Sequence, residues 1–217
     1  MKKVIESNFG KFNSYYEPEK KRVNIVVDFC LEERELLNVI ENHVHELGLS
    51  EAFLSPHGQP MFLSRNPDYD ISSYETNQTY EKAEGYELIE LTESLYDLYI
   101  QMTNASTFDV DNMSYVDINE VKDCVENEHA RIGLIRFGND YIGSYIVKDE
   151  ELESFGIDSK HQGNGHGYNA LNTILSTMEG SKYLLVCSRN VKALRLYQKA
   201  GFKKTDRFVS YWYDLSF

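Results

Sequence analysis

The sequence predicts a mixed α/β fold, and three observations carry that prediction. Short apolar runs such as RVNIVVDF (22–29), RIGLIRF (131–137) and KYLLVCS (182–188) have the length and β-branched content of buried strands. Other segments place apolar residues at helical spacing, as in Leu36, Leu37, Ile40, Val44 and Leu47, or Leu171, Ile174, Leu175 and Met178. A turn holding Gly163, Gly165 and Gly167 joins a strand-like run, ELESFGI, to the second of those helices. The 217 residues, 41% hydrophobic, suffice for one large domain or two small ones with a sizeable core.

Taken in order, residues 1–22 are polar and aromatic without clear periodicity and read as an irregular lead-in. The strand 22–29 and a helix near 32–47 follow. His43 and His45 of that helix lie two apart and so on different faces, which argues against a shared metal. Residues 55–79 hold three of the four prolines and many turn formers, with no pattern for helix or strand. YELIELT then reads as a strand, Leu95, Leu98, Tyr99 and Met102 as a helix, and Ile118, Val121 and Val125 as a second helix capped by Asp117. RIGLIRF and DYIGSYIVKD flank Gly138-Asn139, a hairpin signal. The chain closes with FKKTDRF and VSYWYDLSF, expected to be a strand pair.

The glycine turn is the chemically informative stretch. Glycines permit positive φ and close approach of a ligand to the backbone. A helix beginning just after them points unpaired N–H groups, at the positive end of its dipole, toward one spot. That arrangement seats a pyrophosphate. No Lys-Ser or Lys-Thr follows the glycines, so this is not a P-loop. The alternating glycines also miss the spacing and chain position of a dinucleotide fingerprint.

The string is instead Q-x-x-G-x-G-like, running Gln162, Gly163, Asn164, Gly165, His166, Gly167. It resembles the coenzyme A loop of the GNAT superfamily of acyl-CoA-dependent N-acyltransferases. After the strand KYLLVCS comes NVKALRLYQKAGFK (190–203), which looks like the second signature of that superfamily, N-x-x-A-x-x-L-Y-x-K-x-G-F. Asn190 suits an N-cap there and Gly201 a C-cap. The resemblance covers residues 86–217. Residues 1–85 stand apart as an N-terminal α/β segment, although Tyr80, Lys82, Gly85 and Tyr86 echo Tyr197, Lys199, Gly201 and Phe202 as a degenerate partial repeat would.

The resemblance implies a mostly antiparallel central sheet flanked by helices, and direct transfer of an acetyl group from acetyl-CoA to a primary amine. It implies that backbone groups of Phe155 and Ile157 pair with the pantetheine arm and that N–H groups from Gln162 through Gly163, Asn164, Gly165, His166 and Gly167 to Tyr168 hold the pyrophosphate. Asn190 would hydrogen-bond the pantetheine. Tyr197 would protonate the departing thiolate, since a phenol and a thiol have comparable proton affinities. Glu153, four residues before Ile157, is the expected base, acting directly or through water, with Glu151 as runner-up on the same face by strand alternation. His161 and His166 read as loop residues, and Cys187 as a strand cysteine rather than a nucleophile. The competing reading is a CoA-binding regulatory module without catalysis.

Composition narrows the partners. The formal net charge of −13 argues against nucleic acid. From Asp158 onward nine Lys and Arg face four Asp and Glu, a balance of +5, so the remainder carries −18. A basic end suits a phosphorylated cofactor, and an acidic remainder suits a cationic acceptor, whether small molecule or peptide. No run approaches the roughly 20 apolar residues of a membrane span. The N-terminus lacks an apolar signal region, and three scattered cysteines fit a reduced, cytoplasmic protein. No metal is expected. The aromatic strand VSYWYDLSF offers a pairing edge for a homodimer.

Overall fold

The computed structural model describes residues 2–56, 63, 65–107, 110, 113 and 115–217. Its first elements are β1 (Lys2–Ser7), β2 (Gly10–Glu17), β3 (Arg22–Cys30), α1 (Glu33–Glu46), β4 (Glu51–Pro56), β5 (Tyr69–Thr76) and β6 (Tyr86–Glu90). Then come α2 (Tyr96–Thr107), α3 (Ile118–Val125), β7 (Ala130–Phe137), β8 (Asp140–Lys148) and β9 (Glu151–Ile157). The last are α4 (His166–Leu175), β10 (Lys182–Cys187), α5 (Val191–Lys199) and β11 (Lys203–Ser216). The chain divides into two compact units, the first made of Met1–Ser72, Cys187–Arg189 and Phe208–Phe217, the second of Ser73–Val186 and Asn190–Arg207.

In the first unit β1, β2 and β3 form an antiparallel meander, and α1 then carries the chain to β4, parallel to β3. The end of β11 pairs antiparallel with β4, Tyr213 opposite Leu54. Phe12, Ile25, Leu36, Ile40, Leu54 and Tyr213 are fully buried in one core. His43 belongs to it. Its Nε2 lies 2.8 Å from Ser14 Oγ, and burial, helped by Lys3, pushes its pKa down. The expectation of an irregular lead-in is therefore overturned, because residues 2–17 are a hairpin. The inward positions of β2 are Gly10, Phe12 and Ser14, and with one large apolar residue among three the period-2 signal is hidden.

The second unit holds the strand order β10-β9-β8-β7-β6. Its neighbours are antiparallel except β9 and β10, which are parallel and joined through α4. Side-chain alternation on β7 separates two cores. Leu134 packs with Tyr99, Met102 and Val121 of α2 and α3. Ile135 packs with Leu171 and Ile174 of α4 and Tyr197 of α5. Burying each such aliphatic side chain contributes about 1.5–3 kcal/mol. The Asp117 cap is present, its carboxylate accepting from the Asn119 and Glu120 N–H groups while Glu120 reaches back in a capping box. Gly138 turns the β7–β8 hairpin at φ +61°.

Two further expectations are corrected. The turn-rich stretch 55–79 contains β5, which starts two residues after Pro67 and whose buried positions do not alternate, so no period-2 signal announces it; residues 57–62 and 64 lie outside the described ones. Residues 203–216 form one long strand instead of a closing pair. That stretch has neither Gly nor Pro to supply a turn.

Candidate active site

The site begins where β9 and β10 part. They are paired at a single position, Tyr183 opposite Glu151, secured by the Tyr183 N–H donating to the Glu150 carbonyl at 2.9 Å. Beyond it β9 keeps its ladder with β8 alone. The Asp158 N–H donates to the Ile142 carbonyl (2.9 Å) on the β8 side. Strand alternation therefore turns the polar backbone groups of Phe155 and Ile157 toward the gap. The Ile157 carbonyl is met there by the Gln162 side-chain amide at 2.8 Å. The other three groups leave a strand edge into which an extended chain can pair.

At the end of that gap the loop folds as its glycines demand. Gly163 and Gly165 have φ of +82° and +81°, a conformation that side chains disfavour, and open space lies where each Cβ would stand. Gly165 is the N-cap of α4 and brings no capping side chain to the first-turn N–H groups. They stay available to an anion. Gly167 sits where a Cβ would come within 3.7 Å of Leu196 on α5. Asn164 is exposed. The His166 Nδ1 lies 2.7 Å from the buried Tyr86 hydroxyl, and its ring packs against Phe137. Tyr168 is covered by the Lys199 ammonium, 4.2 Å above its ring, which ties α4 to α5.

Asn190 caps α5, its Oδ1 accepting from the Ala193 N–H at 3.1 Å. Its Nδ2 keeps two donors. Tyr197 is buried in the α4/α5 core, its ring 5.8 Å from that of Phe202, and burial pushes its pKa up to about 12.

Glu153 occupies a β-bulge. Val147 lies opposite Leu152 and Ile146 opposite Ser154, so Glu153 is the extra residue between them. Its carboxylate is 2.6 Å from Lys148 Nζ, and that hydrogen bond raises the lysine pKa. Glu153 lies on the α2/α3 side, where burial, helped by its charge, raises the Tyr99 and Cys124 pKa values. Glu151 accepts the Tyr183 O–H at 2.8 Å. Lys148 and Tyr183, the partners of these two carboxylates, were not legible beforehand because only strand register brings them together. Cys187 packs with Tyr69 and Trp212 in the first unit, and His161 lies in the short turn before the glycines.

A parting pair of parallel strands, a glycine loop at its open end and an uncapped helix N-terminus form a cleft with a free strand edge and unpaired N–H groups, chemistry that suits an extended ligand bearing an anionic group. The Acetyltransferase (GNAT) family matches residues 79–202, and the chain belongs to that family. Such a domain carries acyl-CoA-dependent acetyl transfer in general. Solved structures agree on the fold. A GCN5-related N-acetyltransferase from Kribbella flavida is 12% identical with a TM-score of 0.60, covering 99% of this chain and 89% of its own. One from Sphaerobacter thermophilus is 11% identical with a TM-score of 0.60, covering 96% and 76%. An acetyltransferase from Thermus thermophilus is 21% identical with a TM-score of 0.50, covering 63% of this chain and 100% of its own. No curated protein matches the chain.

Proposed function

We propose that the chain transfers the acetyl group of acetyl-CoA directly to a primary amine. The observation that carries this reading is the single β9–β10 pair at Glu151 and Tyr183, beyond which the free edge of β9 leads straight to the glycine loop. Pantetheine would lie along Phe155 and Ile157 as an added strand, with Asn190 Nδ2 on its amides. The pyrophosphate would rest on the N–H groups between Gln162 and Tyr168. This places the thioester toward the closed end of the gap, where Glu153 and Glu151 begin β9.

In this reading Glu153 takes the amine proton through water while Lys148 fixes its carboxylate. The amine attacks the thioester carbonyl, the C–S bond breaks, and Tyr197 protonates the leaving thiolate. Burial that disfavours a tyrosinate disfavours a dry thiolate too, so the proton transfer stays near balance. The N-terminal segment 1–85 is read as a degenerate copy of the second unit's plan, because β1-β2-β3-α1-β4 repeats the meander and parallel crossover of β7-β8-β9-α4-β10. A cytoplasmic location is supported by Cys30, Cys124 and Cys187 forming no disulfide.

The test is thiol release from acetyl-CoA over amino acids, polyamines, aminoglycosides and lysine peptides. Release with one amine class is expected. The engagement of Glu153 by Lys148 favours one alternative, a CoA-binding regulatory module, and binding without release from any amine would select it.

A further inference from the structure

On the sheet face opposite α4 and α5, four side chains of the second unit meet beside the closed end of the gap. Tyr183 of β10 donates its O–H to Glu151 Oε2 at 2.8 Å. The Arg207 guanidinium lies over the same ring, its Cζ 3.6 Å from the centroid, and reaches Glu75 Oε1 only at 3.5 Å. Arg207 is 46% exposed. Leu184 and Val186 point into the α4/α5 core, which fixes Tyr183 on the other face.

A guanidinium stacked on an aromatic ring keeps the N–H groups of its edge in plane for bidentate binding of a carboxylate. Glu75 uses one corner of that edge and does so loosely. Glu151 has one oxygen committed to Tyr183, leaving Oε1 for an ammonium. One phenol ring thus separates a cation from an anion and holds both. Lys148 and Glu153, neighbours on β8 and β9, neutralise each other and leave this polarity intact.

We propose that this face is the acceptor subsite and that the acceptor is an amine carrying its own carboxylate, of the amino-acid class. The carboxylate binds the edge of Arg207, and the ammonium is drawn to Glu151 at the point where β9 and β10 join. This rests on the transferase reading, because it is that reading which sets the thioester at the same point. Tyr183 is a positioning residue that fixes the spacing of the two charges.

The experiment compares thiol release for amino acids with that for the same amines lacking the carboxylate, in the wild type and in Arg207→Gln. Amino acids should be preferred by roughly 10- to 100-fold in kcat/KM, the range of one charge-assisted pair. Arg207→Gln should erase the preference by raising the amino-acid KM, with the KM for acetyl-CoA unchanged; Tyr183→Phe should weaken it. Equal rates for both amine classes, or a preference that survives Arg207→Gln, would overturn the proposal. If no amine releases thiol, the transferase reading fails, and calorimetry of amino-acid binding to the CoA-loaded protein decides the subsite separately. Binding lost in Arg207→Gln upholds it, and no binding overturns it.

Discussion

The carboxylate of Glu153 lies 2.6 Å from the ammonium of Lys148, across the bulge that β9 makes against β8. Both side chains are more than a third exposed, 39% and 38%. The pair therefore contributes at most about 1 kcal/mol to stability, and its consequence is orientation. Glu153→Gln should leave the fold and acetyl-CoA affinity intact and lower turnover by about 10²-fold or more. Thiol-release kinetics beside a calorimetric Kd check this, and an unchanged rate would make Glu151 the better base.

Gly165 separates anion binding from backbone strain. Its φ of +81° penalises any side chain, while the space around its missing Cβ is open. Gly165→Ala should cost about 1 kcal/mol of stability and retain acetyl-CoA binding. Gly165→Glu should cost the same and abolish binding, because it places a negative charge in the seat. Thermal melts with and without acetyl-CoA distinguish the two.

The glycine loop and the α5 signature were legible because their chemistry is local: positive φ, helix starts and caps are fixed by neighbours in sequence. What the site depends on at longer range was not. The bulge at Glu153 arises from the register of β8 against β9, and no local pattern announces it. The hairpin of β1 and β2 escaped for a different reason. Gly10 and Ser14 face inward beside Phe12, so tertiary burial falls on residues whose type does not advertise it. β11 was divided in two because its charged first half differs from its aromatic second half, yet backbone pairing runs through both.

Tyr197 has two separable signatures. As the general acid, Tyr197→Phe should lower kcat by about 10²-fold with acetyl-CoA affinity retained. As a buried phenol, it links stability to alkaline pH. Its folded pKa of about 12 stands above the ordinary value of 10.0, so its stabilisation is complete below pH 10 and is lost as pH rises toward 12. Tyr197→Phe should flatten the decline of urea stability between pH 10 and 12.

His43 gives the opposite sign in the first unit. Burial lowers its pKa below the ordinary 6.5, so the folded state favours the neutral ring. Its contribution is present above pH 6.5 and fades as the pH falls through the lowered folded value. His43→Gln should reduce the loss of stability between pH 7 and pH 5, measured by urea unfolding.

The most direct test of the central claim is a calorimetric titration of the purified chain with acetyl-CoA. The β9 edge, the uncapped start of α4 and Asn190 together predict saturable binding at one site with a micromolar Kd, absent in Gly165→Glu. Failure of the wild-type chain to bind acetyl-CoA, or equal binding by Gly165→Glu, would contradict the assignment of this gap and loop as the acyl-carrier site.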